Sequence, residues 1–160
     1  MRDYNIIGHI HGKRSLAVNA TMGERWREFL WQNLIGDAHP MIDIIIERFA
    51  TDGRTGIVFP NDSHLCDWDQ NRDVAKDLAR PMGIKVPLPP FFEFPIGTMF
   101  WARVDALRPL FKLKISRDDY PEEPVPGDGT ILHALGRLLP FVAQHAGYRL
   151  AVTHLPGVTW

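Results

Sequence analysis

The chain has 160 residues, of which 45% are hydrophobic and 23% charged, the make-up of one globular domain with a substantial core. A disordered segment is excluded by that composition, and a disulfide scaffold by the single cysteine, Cys66. With 18 Lys and Arg against 19 Asp and Glu, the net charge of −1 supplies no long-range field for a polyanion, so nucleic acid is not an expected partner.

No run approaches the 18 to 20 apolar residues of a membrane span, and the opening Met1-Arg2-Asp3-Tyr4-Asn5 meets polar histidines before a secretory h-region can form. A cytoplasmic protein is expected. The 13 Gly and 13 Pro exceed the usual share of about 12% and gather in the middle and late chain, which predicts long ordered loops, where sites tend to sit.

In chain order, residues 4–10 predict a short buried strand that ends in the polar His9, His11, Lys13 and Ser15. Trp26, Phe29, Leu30 and Leu34 recur at helical spacing over 23–36, with Gly36 as a stop. Pro40 opens a second helix whose Met41, Ile42, Ile44, Ile45, Ile46 and Phe49 form an apolar face so wide that near-complete burial is expected. Residues 55–59 predict a core strand stopped by Pro60, and 61–69 a polar loop. Residues 71–82 predict a helix whose Asp73, Lys76, Asp77 and Arg80 form a solvated face.

Prolines 81, 87, 89 and 90 predict an irregular extended stretch. Residues 96–102 then predict a strand, 104–111 a short helix, and 116–127 an acidic, proline-rich loop. Residues 130–146 predict a helix with Asp128 as N-cap and Gly147 as stop, and 148–153 a closing strand. Four strands alternating with helices imply a single α/β domain over 1–160, a mixed sheet flanked by helices. No glycine-rich phosphate loop is present, as if this were the later half of a larger nucleotide-binding fold.

Three constellations can carry chemistry. In His-Ile-His-Gly-Lys-Arg-Ser, alternation along a strand end brings His9 and His11 to one face, where they can ligate a metal, or join Lys13, Arg14 and Ser15 in holding a phosphate, or simply bond neighbouring backbone. In the acidic loop, Glu122, Glu123 and Asp128 precede a helix carrying His133 and Arg137. A carboxylate there can act as a general base, and Asp128 can equally be no more than a cap. His133 and Arg137, four apart, can orient an acceptor or pair with Glu122 or Glu123. Finally, Gly97-Thr-Met-Phe-Trp-Ala-Arg103 offers Trp101 to stack on a sugar and Arg103 to hold a carboxylate or diphosphate, core packing being the alternative.

In this order His-Ile-His-Gly-Lys-Arg-Ser, Trp26-Arg27, Gly97-Thr-Met-Phe-Trp-Ala-Arg103, Asp128-Gly-Thr and His133-Ala-Leu resemble the rhamnan synthesis protein F family over nearly the whole chain. The resemblance implies a branch of the GT-A glycosyltransferases, here the later half of that fold, working in cell-surface polysaccharide synthesis of rhamnan or lipopolysaccharide O-antigen type. It implies transfer of a sugar such as rhamnose from a nucleotide-sugar, for example thymidine-diphosphate rhamnose, to a glycan acceptor. A non-catalytic carbohydrate-binding or assembly module of the same pathway is the alternative. Location would be cytoplasmic, at the inner face of the membrane through pathway partners.

By the same resemblance, His9, His11, Lys13, Arg14, Ser15 and Arg103 would meet the donor phosphates. Trp101, Thr130, His133 and Arg137 would meet the acceptor, and Asp128 would be the base, with Glu122 and Glu123 as substitutes. The usual Asp-x-Asp that holds a divalent metal is replaced by His9-x-His11. Either the histidines take the metal, or Lys13 and Arg14 neutralise the leaving diphosphate directly; magnesium and manganese prefer oxygen ligands, which favours the second. Where the family pattern reads Ala-Leu-Glu-Arg, this chain has Gly136, a residue that costs about 1 kcal/mol relative to alanine inside a helix.

Overall fold

The computed structural model describes residues 4–12, 19–62 and 64–160. Four strands, β1 (Ile6–His9), β2 (Thr55–Pro60), β3 (Phe100–Arg103) and β4 (Arg149–Thr153), form one sheet in the order β1-β3-β2-β4. The β1/β3 and β3/β2 pairs are antiparallel and β2/β4 is parallel, so β1, β2 and β4 all point the same way. Their carboxyl ends and the start of β3 therefore share one edge.

Four helices, α1 (Ala20–Leu34), α2 (Met41–Thr51), α3 (Arg72–Met82) and α4 (Ile131–His145), cover the sheet. The pleat divides the core. Ile57 and Phe59 of β2, with Phe100 and Ala102 of β3, join α3 and α4 on one face, whereas Val58 and Trp101 join α1 and α2 on the other. The expected mixed α/β sheet flanked by helices is the observed architecture. β2, buried at all six residues, is its centre.

Several expectations change. The first strand is an edge strand and mostly exposed, Ile7 at 40%, because it pairs only with β3. In α2 only Met41, Ile45 and Phe49 are buried; Ile42, Ile44 and Ile46 are exposed, since a helix lying on one face of a single sheet buries only a stripe.

The strand expected over 96–102 starts only at Phe100 because a 3₁₀ turn, Ile96–Thr98, precedes it. Gly97 and Thr98 there have φ of 60° and 56°, a left-handed backbone that costs a threonine about 1 kcal/mol or more. The short helix expected at 104–111 is a 3₁₀ helix, Val104–Lys112. At α4 the cap is Thr130, whose side chain accepts from the His133 N–H, in place of Asp128.

Gly136 finds its reason in that strained turn. A Cβ on Gly136 would lie 2.8 Å from Thr98 Oγ1, so the missing side chain lets the turn press against α4. No helix is long and apolar enough to cross a membrane among the described residues.

Candidate functional site

In open α/β sheets ligands sit outside the carboxyl ends of the strands, and that edge here gathers most of the polar groups of interest. At the end of β1, His9 Nδ1 faces Thr98 O and His11 Nε2 faces Gly97 O at 2.9 Å. Carbonyls only accept, so those two nitrogens are the donors. The ring centroids are 5.6 Å apart, edge to face, and His9 stacks on Phe100. The alternation along the strand end does bring both imidazoles to one place, and the strained turn holds them. Lys13, Arg14 and Ser15 follow immediately and lie outside the described residues.

The pair does not fit a divalent metal of the GT-A kind. No carboxylate joins them, and among the described residues no three His, Cys, Asp or Glu side chains converge on a metal position.

Across the turn, α4 carries a second cluster. Asp128 Oδ1 accepts from Asn71 Nδ2 at 2.7 Å and from Arg137 at 3.3 Å, and its Oδ2 accepts from the Gln70 N–H at 3.2 Å. Asn71 is fully buried and fully used: it also donates to Trp68 O and accepts from the Gly129 N–H. Arg137, 8% exposed, donates through Nε to Asp67 O and lies over the Phe94 ring. Burial pushes the Asp128 carboxyl up, but the Asn71 bond, the Arg137 charge and the Gln70 and Gly129 N–H groups outweigh it, so its pKa falls below the ordinary 3.8.

This network holds Asp128 as an anion and ties the loop before α4 to the start of α3. Arg137 pairs with Asp128 rather than with Glu122 or Glu123. Both glutamates are exposed, and Glu123 accepts from the Val125 N–H. Thr130 and His133 contact each other at the α4 cap, 2.7 Å between Oγ1 and Nδ1.

Two expected site residues are drawn elsewhere. The Trp101 indole packs on Gly8, where a Cβ would meet the ring at 2.8 Å, and its Nε1 donates to Leu34 O at 2.9 Å. Arg103 sits at the opposite end of β3, about 10 Å along the strand from the level of His9. There its guanidinium donates to the carbonyls of Thr55, Phe49 and Asp52, joining α2 to the start of β2. A shallow groove of about 410 Å³ beside Arg108, Lys112, His145 and Tyr148 lies near that far edge as well.

The loop after β2 holds what sequence reasoning missed. The Asp62 side chain is 1% exposed; its Oδ1 accepts from His64 Nδ1 at 2.9 Å and from the His64 N–H at 2.8 Å, and its Oδ2 accepts from Trp160 Nε1 at 2.6 Å. The His64 ring leans on Trp160, which stacks on Trp26, both centroid distances being 5.1 Å. The loop is fastened to the sheet by the Asn61 N–H, which donates to Thr153 O. The buried Thr153 Oγ1 has no hydrogen-bond partner among the described residues. An aspartate two residues before a histidine, directly after a core strand, was the available signal; it reads as an ordinary polar turn unless the aspartate is known to be buried.

Comparison with known proteins adds the family. The model of rhamnan synthesis protein F matches residues 1–148. The uncharacterized protein WxcX of Xanthomonas campestris pv. campestris, in two strains, is 31% identical over 155 residues, 94% of this chain and 21% of the relative. The chain thus spans about a fifth of the length of the curated relatives it matches. No solved structure matches it significantly. With that match running from the histidine strand to the end of α4, the chain belongs to the rhamnan synthesis protein F family.

Proposed function

We propose that the chain, through its membership of that family, works in the synthesis of rhamnan-type polysaccharide as a glycosyltransferase domain, or part of one, with the GT-A type of nucleotide-sugar fold, moving a sugar such as rhamnose from a nucleotide-sugar to a glycan acceptor. The observation that carries this reading is the family match over nearly the whole chain. The concentration of hydrogen-bonding side chains at the carboxyl edge of the sheet, where such folds take their ligands, supports it.

In this reading the donor diphosphate lies beyond β1, at the His9 and His11 turn and the following Lys13, Arg14 and Ser15, whose cations would neutralise the leaving group without a metal. The acceptor lies toward the loop that brings Glu122, Glu123 and Asp128 to the head of α4, with Thr130, His133 and Arg137 behind it. Asp128 acts there as a fixed anion, anchored by Arg137 and Asn71. The work would be done at the inner face of the membrane, beside the pathway's other proteins.

The test is ligand-observed NMR and product analysis with thymidine-diphosphate rhamnose, other nucleotide-sugars and rhamnose oligosaccharides, with and without a chelator. Donor binding and a lengthened glycan are expected, unchanged by the chelator. Oligosaccharide binding with no donor binding would replace the transferase reading with a carbohydrate-binding module. Lys13→Ala combined with Arg14→Ala should raise the donor KM by about tenfold or more, because charge-assisted bonds to a diphosphate are lost; an unchanged KM would remove this loop from the donor site.

A further inference from the structure

A glycosyl transfer needs a group that removes the acceptor hydroxyl's proton, and that group must have a free lone pair. Asp128 is poorly placed for this: its carboxylate already accepts from Asn71, Arg137 and Gln70, its side chain is only 16% exposed, and the Arg137 charge beside it weakens it as a base. The Asp62 and His64 pair is built the other way. The buried Asp62 carboxylate can only accept, so His64 Nδ1 donates to it, and of the two tautomers of the neutral ring this bond selects the one with Nε2 bare. The His64 side chain is 55% exposed, so a substrate can approach it.

Every other contact of the pair serves to hold it. The second Asp62 oxygen is fixed by Trp160 Nε1, the His64 ring rests against the same indole, and the Trp26 ring backs that indole from α1. The loop hangs from Pro60 at the carboxyl end of the central strand, the edge already occupied by the His9 and His11 turn. The exposed part of the aromatic wall beside an imidazole suits a sugar, whose apolar face stacks on an indole while a hydroxyl points at the ring nitrogen.

We propose that His64 is the general base of the transfer reaction and that Asp62 is its positioning residue, with Trp160 completing the mount. The assignment rests on the glycosyltransferase reading above. The acceptor oxygen forms its bond to the anomeric carbon of the donor while its proton passes to His64 Nε2. The bond from that carbon to the diphosphate breaks, and its electron pair leaves on the diphosphate oxygen.

Three measurements test this, the first independent of turnover. Nitrogen-15 NMR of the histidine rings should show His64 protonated on Nδ1 and bare on Nε2 in the neutral protein, and Asp62→Asn should disturb that preference; a His64 ring protonated on Nε2 in the wild type overturns the proposal whatever the activity. His64→Gln should lower kcat by about 100-fold or more with donor KM nearly unchanged, and imidazole added to His64→Ala should restore part of the rate. Asp62→Asn should lower kcat by about tenfold or more through the wrong tautomer. Full turnover in His64→Gln overturns the base assignment while leaving the transferase reading intact. Absence of transfer by the wild type from every nucleotide-sugar overturns both.

Discussion

Two carboxylates stand at the same edge of the sheet, and their surroundings assign them opposite tasks. Asp128 is enclosed by a guanidinium, a buried amide and a backbone N–H, and the cluster closes on itself. Asp62 is more deeply buried, yet it is bonded to a histidine whose side chain is 55% exposed. The lesson is that a polar cluster's function is read from what it leaves unsatisfied rather than from its acid content. A closed network stabilises and positions; an open one can still exchange a proton with a substrate.

That comparison is broken most easily by stability measurements. Asp128→Ala leaves Arg137 buried without its counter-ion and should cost about 3 kcal/mol, read from the urea unfolding midpoint. Asp62→Ala should cost less, about 1.5 kcal/mol, because the His64 ring can turn to water once released. If the two losses were equal, the contrast between a closed and an open network would fail.

Gly136→Ala sharpens the same picture at the next level. Helix propensity alone favours alanine by about 1 kcal/mol, but the new methyl would meet Thr98 Oγ1, and a net loss of about 1 kcal/mol is expected. On a Thr98→Gly background the clash and the left-handed strain both vanish, and the alanine should become stabilising. If Gly136→Ala alone is stabilising, the turn does not press on α4.

The smallest effect is the acid one. The folded pKa of Asp128 lies below its unfolded value, so its contribution to stability is complete above about pH 4 and is lost as the pH falls through the folded value. The stability gap between the wild type and Asp128→Asn should therefore narrow below pH 4. A gap that stays constant to lower pH would mean that the carboxylate's charge is not what the network uses.

Much of the fold was legible in the chain. The positions of α1, α3 and α4, the core strand β2 and the closing β4 follow from periodicity, because burial of one helical stripe or one strand imposes its own spacing on the apolar residues. The juxtaposition of His9 and His11 was legible for the same reason. What was not legible is how completely each polar group is engaged. Trp101 and Arg103 stand on one strand, yet both turn to backbone carbonyls, Leu34 O for one and Thr55, Phe49 and Asp52 for the other, partners 48 or more residues away.

The order of elements, the alternation of layers and the family motifs were thus determined by sequence alone, since local spacing and propensity act over a few residues. Tertiary structure decided which face of α2 stays exposed, that β1 is an edge, that Asp128 is locked and that His64 is open. These depend on what lies across the sheet, and a chain's neighbours in space are set by its topology: Asp62 meets Trp160 across 98 positions, and Asn71 meets Asp128 across 57.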